Sequence, residues 1–283
     1  MLPWIMRNFI VLICLFSLQS CTTNNSTIKI KGSDTEVNLA VLLAEAFYQK
    51  DDKLLVSISG GGSGLGIASL LNGTTDIANS SRRINEEEMS LFHKKNIALD
   101  SFIFAQDAIA FVVSNKLAID SISTVDLSKI LSGEYKNWSS LIKENIPINI
   151  YGRQSNSGTY EFVKHILNIH FSPYAKQMNG NAQILEAIKA DNSGIGYVGA
   201  GYVMKGGSKE IKVLKIHTDN HPSISPLDSA KIASGEYFFQ RPLFQYYKAS
   251  DYEKVKPFLD FEKTEKGAAI IHESGYYPVN KIK

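Results

Sequence analysis

The sequence predicts an α/β protein with two lobes, each a mainly parallel sheet flanked by helices. Short β-type runs alternate with amphipathic helical runs along most of the 283 residues, which is typical of parallel sheets. Beyond its N-terminal segment the chain has about 260 residues, enough for two domains of common size. Two apolar runs, residues 108–113 and 243–247, are placed where the chain would cross between lobes and return, as in a hinged clamp.

The N-terminal segment, residues 1–20, is expected to be a secretory signal. Arg7 precedes a short apolar run that is too short to span a bilayer. Leu-Gln-Ser before Cys21 resembles a bacterial lipobox, although Gln19 is larger than the usual residue. We expect lipid on Cys21, a polar tether over residues 21–27, and an extracytoplasmic protein on a periplasmic face or cell surface. The alternative is an ordinary secretory signal that leaves Cys21 as a free thiol.

The rest of the composition excludes several classes of protein. The two cysteines are Cys14 and Cys21, so the folded body has no disulfide. Lys and Arg number 30 against 28 Asp and Glu, with no basic run, so a nucleic-acid partner is not expected. The six His are scattered, so we expect no metal site, and no cofactor motif is present.

The first lobe begins with three strands, over residues 28–30, 54–59 and 76–79. The helices between and after them are predicted over residues 37–49, over residues 65–72 with a left-handed stop at Gly73, and from Glu86, where acidic residues suit the helix dipole. We assign residues 28–107 and 240–283 to this lobe, named lobe 1.

The second lobe, residues 108–239 and named lobe 2, repeats this scheme. A strand at residues 148–151 leads into a polar loop and a helix over residues 160–169, and Tyr197 and Val198 mark a further strand. The strand at residues 243–247 is expected to return the chain to lobe 1, which a final helix over residues 252–273 completes. Trp138 is expected to pack in the core.

Three strand-to-helix junctions carry hydroxyl groups, and they form the most informative pattern in the chain. These hydroxyls belong to Ser33 and Thr35, to Ser63, and to Ser157 and Thr159. Each helix start offers free backbone N–H groups, each hydroxyl adds a donor, and glycine permits close approach. Such junctions gather at the carboxyl ends of parallel strands, so they predict an oxyanion pocket. A single junction would be ordinary capping or turn chemistry.

Two arginines are candidate anion ligands. Arg153 precedes the Ser157 junction by four residues, and its planar guanidinium matches a tetrahedral oxyanion. Arg82, next to Ser81 after the third strand, is the second candidate. Its alternative role is a structural ion pair with Glu86 or Glu87.

These residues resemble the phosphate-binding protein of the high-affinity phosphate ABC transporter. The similarity covers nearly all of the chain after the signal and includes 32–35 (Gly-Ser-Asp-Thr), 61–67, 76–82, 153–159, 194–197, 265–267 and 275–279. It implies a type II periplasmic-binding-protein fold that closes on one phosphate between two lobes. The predicted phosphate ligands are Ser33, Asp34, Thr35, Ser63, Ser81, Arg82, Arg153, Ser157, Gly158 and Thr159.

One departure from the family concerns the proton that phosphate keeps and sulfate lacks. Many members place an aspartate after the third strand to accept that proton, and this chain has Ser81 and Arg82 there. Our hypothesis is that Asp34 accepts it instead. An unpaired carboxylate facing a dianion is costly unless a proton bridges them, so Asp34 would also reject sulfate. The alternative is that Asp34 only caps the first helix.

The predicted function is therefore capture of inorganic phosphate and its delivery to the permease of an ABC importer, by a monomer and without bond making. An enzyme is disfavoured because Ile67 stands where a P-loop needs lysine, and Leu65 stands where a nucleophile elbow around Ser63 needs glycine. Two further functions remain open: a receptor for sulfate or molybdate, and an adhesin that has lost its ligand.

Overall fold

The structure, a computed structural model, describes residues 26–204 and 209–279. The predicted signal (residues 1–20), the predicted lipidation site Cys21 and most of the tether lie outside the described residues. The element order confirms the predicted α/β class. No helix in the described ranges is long and apolar enough to cross a bilayer.

Each predicted strand overlaps a strand of the structure, and the structure adds short strands that were not predicted. They are β1 (Ser26–Gly32), β2 (Leu54–Ser59), β3 (Ile77–Ser80), β4 (Leu99–Ser114), β5 (Ser121–Ser123), β6 (Asn149–Arg153), β7 (Lys176–Met178), β8 (Gly194–Gly199), β9 (Ile211–Val213), β10 (Lys215–Thr218), β11 (His221–Ile224), β12 (Gln240–Lys248) and β13 (Tyr277–Pro278).

The helices follow most of these strands. They are α1 (Val37–Tyr48), α2 (Ser63–Leu71), α3 (Glu86–Lys94), α4 (Thr124–Ser132), α5 (Gly158–Ile166), α6 (Asn181–Ala190), α7 (Gly201–Met204), α8 (Ser229–Ala233), α9 (Tyr252–Glu262) and α10 (Glu265–Glu273), with single 3-10 turns at Trp138–Ser140 and Ala249–Asp251.

The main sheet is mixed, with its parallel pairs in the outer parts. The strand order is β2-β1-β3-β12-β4-β8-β6-β7, and β9 and β13 also pair with β4. β1 is parallel to β2 and β3, and β6 is parallel to β7 and β8. The central strands β12 and β4 pair antiparallel with their neighbours. On each side of the sheet, the strand-to-helix junctions therefore lie at the carboxyl ends of the parallel strands.

The 16-residue strand β4 joins the two parts of the sheet and is much longer than the predicted run of residues 108–113. Residues 99–108 pair with β12, and residues 109–113 pair with β8. Hydrophobic packing changes at the same point. One core cluster contains buried residues numbered between 108 and 239, and the others draw on residues 28–105 and 243–276. Trp138 belongs to the first of these cores and is fully buried, as expected.

The predicted final helix over residues 252–273 was wrong, because two helices occupy this range. α9 ends at Glu262, and Thr264 takes an extended backbone conformation as the N-cap of α10. Its hydroxyl accepts a hydrogen bond from the Gly267 amide at 3.2 Å. A side chain at Gly267 would meet the carbonyl oxygens of Phe261 and Glu262 at 2.5 Å, so the tight turn between the helices requires glycine there.

Candidate functional site

The hydroxyl-bearing junctions converge, as the sequence predicted. Hydrogen bonds hold the loops of lobe 1 together, since the Ser33 amide donates to the Asn79 carbonyl and the Gly62 amide donates to the Gly32 carbonyl, both at 2.9 Å. α2 and α5 begin earlier than predicted, so Ser63 and Gly158 are their first residues. Each predicted hydroxyl ligand is at most 3 % exposed as a residue: Ser33, Thr35, Ser63, Ser81, Ser157 and Thr159.

Three of these hydroxyls form one group within lobe 1. The Ser33 hydroxyl donates to the Ser81 Oγ at 3.1 Å, and the Ser63 and Ser81 Oγ atoms are 3.4 Å apart. The Ser81 amide also donates to the Ser63 Oγ at 3.1 Å. Three separate loops thus bring neutral donors to one buried place.

The N-terminal end of α5, in lobe 2, lies directly against this group. A side-chain Cβ at Gly158 would stand 2.4 Å from the Ser63 Oγ and 2.5 Å from the Ser81 Oγ. The Thr35 and Thr159 hydroxyls, one from each lobe, are hydrogen-bonded at 3.1 Å. The N-terminal end of α5, which is the positive end of the helix dipole, therefore lies against the lobe 1 hydroxyls.

Arg153 lies beside this cluster with 2 % of its side chain exposed. Its Nη2 donates to the Asp34 Oδ2 at 2.5 Å and to the Asn179 carbonyl at 3.1 Å. Its Nε and Nη1 are buried and have no hydrogen-bond partner among the residues that the structure describes. Burial lowers the pKa of Arg153, and Asp34 opposes that shift. The guanidinium is thus a buried cation that can still donate hydrogen bonds to a further acceptor.

Asp34 does not cap the first helix, because its carboxylate points across to lobe 2. In addition to Arg153, the Gly61 amide donates to the Asp34 Oδ1 at 2.9 Å. Glu36 occupies the N-cap position of α1 and makes no side-chain capping bond. The capping alternative for Asp34 is therefore wrong, and its role as proton acceptor stays a prediction.

Arg82 forms an ion pair, but not with the predicted partners. Its two terminal nitrogens donate to the two carboxylate oxygens of Glu88 at 2.6 and 2.7 Å. Glu88, rather than Glu86 or Glu87, is placed to do this because it also closes the capping box with Asn85 at the start of α3. Burial lowers the pKa of Arg82, but the Glu88 pair outweighs it and raises the pKa. A ligand role for Arg82 remains a prediction.

Sequence reasoning missed Arg241 and Asp107, which lie on the two central strands. The Arg241 Nη2 donates to the Asp107 Oδ2 at 3.0 Å and to the Thr159 Oγ1 at 2.9 Å. Both side chains are at least 98 % buried. Burial raises the pKa of Asp107, while Arg241 opposes the rise. Charged residues inside otherwise apolar strands were the available signal, because unpaired charges are almost never buried.

The cluster has the chemistry of an oxyanion site. It offers neutral hydroxyls, helix amides and buried guanidinium groups, all of which donate hydrogen bonds. Within residues 26–204 and 209–279, no three His, Cys, Asp or Glu side chains come together as metal ligands.

Known proteins share this architecture. A phosphate-binding protein PstS of Borreliella burgdorferi is 28 % identical over 286 residues, covering 96 % of this chain and 98 % of that protein. The crystal structure of a phosphate ABC transporter substrate-binding protein with bound phosphate from Clostridium perfringens has a TM-score of 0.80 at 23 % identity, covering 90 % of this chain and all of that one. An ABC-type phosphate transport receptor from Vibrio cholerae has a TM-score of 0.70 at 26 % identity, covering 88 % and 99 %.

A family model described as the PBP superfamily domain matches residues 19–263. This match spans most of the chain and both groups of strands that contribute to the hydroxyl cluster, so the chain belongs to the PBP superfamily.

Proposed function

We propose that this protein is an extracytoplasmic receptor that captures inorganic phosphate between its lobes and delivers it to an ABC importer. The observation that carries the proposal is the meeting of the Ser63 and Ser81 hydroxyls from lobe 1 with the start of α5 from lobe 2, beside the buried Arg153. Neutral donors from both lobes bind an oxyanion best when the lobes are closed, which provides the differential affinity that closure requires.

The relatives support phosphate as the anion. The B. burgdorferi relative is named a phosphate-binding protein, and the C. perfringens structure contains bound phosphate. As phosphate ligands we propose the predicted residues Ser33, Asp34, Thr35, Ser63, Ser81, Arg82, Arg153, Ser157, Gly158 and Thr159. Within that set the Arg82 terminal nitrogens already bind Glu88, so we expect Arg82 to contribute less than Arg153.

We further propose that Asp34 accepts the proton of bound phosphate. Its carboxylate lies in the interlobe contact, fixed by Arg153 and by the Gly61 amide, and it has lone pairs left for a third donor. Hydrogen phosphate can supply that donor and sulfate cannot. Sulfate would therefore meet an unprotonated carboxylate at close range and be repelled.

The experiment that tests the function is isothermal titration of the purified protein with phosphate, arsenate and sulfate. We expect saturable binding of one phosphate per chain, competition by arsenate and little binding of sulfate. A protein that ignores orthophosphate at millimolar concentration would refute the proposal. A saturable response to sulfate alone would indicate a receptor for a fully deprotonated oxyanion.

The role of Asp34 is tested by Asp34→Asn, which keeps the shape of the side chain and removes its charge. We expect phosphate affinity to fall and the preference for phosphate over sulfate to narrow by about tenfold or more, the value of one charge-assisted hydrogen bond. Unchanged discrimination between the two anions would remove Asp34 as the proton acceptor.

The remaining assignments are also proposals. We assign residues 28–107 and 240–283 to lobe 1 and residues 108–239 to lobe 2, and we propose a monomer without catalytic turnover, attached to a membrane through lipid on Cys21. Cys21→Ala should release the protein from the membrane fraction. Release of phosphate from phosphomonoesters by the purified protein would contradict the non-enzymatic assignment.

A further inference from the structure

Arg241 lies at the point where the two lobes and the central strands meet. It belongs to β12, its side chain is 2 % exposed, and its Nη2 is shared by three acceptors. Two of these are hydroxyls from opposite lobes, the Thr35 Oγ1 at 3.3 Å and the Thr159 Oγ1 at 2.9 Å. Its guanidinium also lies over the ring of Phe162, at 5.3 Å from the centroid. Arg241 therefore contacts hydroxyls on both sides of the proposed phosphate site.

The donors of Arg241 are only partly used. Within residues 26–204 and 209–279, its Nη1 is buried and has no hydrogen-bond partner, as is true of the Nη1 and Nε of Arg153. A buried donor without an acceptor costs free energy, so native structures rarely contain one without a reason. The two cations contact adjacent residues of one loop, since Arg153 binds the Asp34 carboxylate and Arg241 binds the Thr35 hydroxyl. Consistent with this proximity, the pKa of Arg153 is lowered by burial and, to a smaller extent, by Arg241. Two neighbouring cations with spare donors indicate an anion that is shared between them.

The charges around the site match this interpretation. Arg153 is paired with Asp34, and Arg241 is paired with Asp107. Each carboxylate thus balances one guanidinium, and in the described part of the chain each arginine keeps at least one buried donor without a partner. A purely structural ion pair would not need to hold hydroxyls from both lobes, whereas a ligand-binding cation would. The contacts of Arg241 to Thr35 and Thr159 are the observation that separates the two roles.

We propose that Arg241 is a second cationic ligand of the bound oxyanion, acting opposite Arg153 and paired with Asp107 when no anion is bound. This inference rests on the proposed capture of phosphate and adds a specificity-determining residue to the ligand set. The central strand would then contact the anion directly. Because Arg241 also touches Thr159 and Phe162 of lobe 2, it links occupancy of the site to the closed arrangement of the lobes.

The test compares phosphate affinity and unliganded melting temperature in matched variants. Arg241→Gln alone leaves Asp107 buried and unpaired, so the main variant combines Arg241→Gln with Asp107→Asn. We expect this double variant to fold, as judged by circular dichroism, and to bind phosphate about 10- to 100-fold more weakly, the usual effect of one charge-assisted hydrogen bond. Arg83→Gln is the control, because Arg83 is exposed and lies over Phe244 outside the hydroxyl cluster.

The single variant Asp107→Asn gives an independent result if the double variant is unstable. It keeps Arg241 and removes the carboxylate that competes with phosphate for it, so phosphate should bind at least as tightly while the unliganded protein melts at a lower temperature. The inference is overturned if the double variant folds and binds phosphate within threefold of the unmutated protein, or if Asp107→Asn binds it more weakly. An unmutated protein that does not bind phosphate would refute the proposed function instead.

Discussion

Gly158→Ala provides the sharpest test of the closed arrangement. The backbone of Gly158 is not in the left-handed region, so alanine fits the first turn of α5 without strain and is the better helix former. Its methyl group would nevertheless stand 2.4 Å from the Ser63 Oγ and 2.5 Å from the Ser81 Oγ, where ordinary contact begins at 3.4 Å. Closure of the lobes would thus have to displace two buried hydroxyls. In an open arrangement, with α5 away from lobe 1, the methyl group would make no such contact.

The magnitude follows from these distances. Each hydroxyl must move by about 1 Å, and overpacking of this kind costs about 1 to 3 kcal/mol. Because the cost falls only on the closed form, we expect phosphate affinity to drop about 5- to 150-fold. The melting temperature of the unliganded protein should stay the same or rise. Binding and stability would therefore change independently, which a general packing defect would not produce.

Isothermal titration and thermal melts of Gly158→Ala measure the two effects. Gly180→Ala is the matched control, because Gly180 is the N-cap of a helix of lobe 2 and no atom of the described residues lies within 4 Å of its hypothetical Cβ. We expect this control to bind phosphate normally. If Gly158→Ala also binds phosphate as tightly as the unmutated protein, the contact of α5 with Ser63 and Ser81 does not belong to the bound state.

Two further predictions concern stability. Burial raises the pKa of Glu262 to about 8, although a hydrogen bond from Gln245 acts in the opposite direction. Between about pH 4.5 and 8 the folded protein therefore keeps a proton that the unfolded chain releases, so the free energy of unfolding falls as pH rises. Glu262→Gln should therefore raise the free energy of unfolding by roughly 4 kcal/mol at pH 8 and by little at pH 4.5. Urea melts that show the same gain at both pH values would contradict this. Trp138→Phe removes the hydrogen bond from its Nε1 to the Ser193 carbonyl (2.9 Å) and should cost about 1 to 3 kcal/mol without changing phosphate affinity, whereas a large affinity loss would refute a purely structural role.

The class of the fold and the loops that carry hydroxyl donors could be predicted from the sequence because their signals are local. Ser63 and Gly158 stand at helix starts that follow strands, and such junctions collect at one end of a parallel pair wherever the strands lie in the sheet. The alternation of strands and helices predicted the α/β class for the same reason. The sequence did not predict the break at Thr264, because the residues on both sides of it keep a helical pattern.

Local pattern by itself thus determined the class of the fold and which loops carry donors, because hydrogen bonds within helices and turns join residues three or four apart. Only the tertiary structure decided which charges meet. Arg241 reaches Thr35 across 206 positions and Thr159 across 82, and Arg153 reaches Asp34 across 119. Such partners are set by how the strands are ordered in the sheet and how the lobes close. Residue spacing along the chain does not reveal these pairs, because buried charged groups pair with whichever opposite charge the fold brings close.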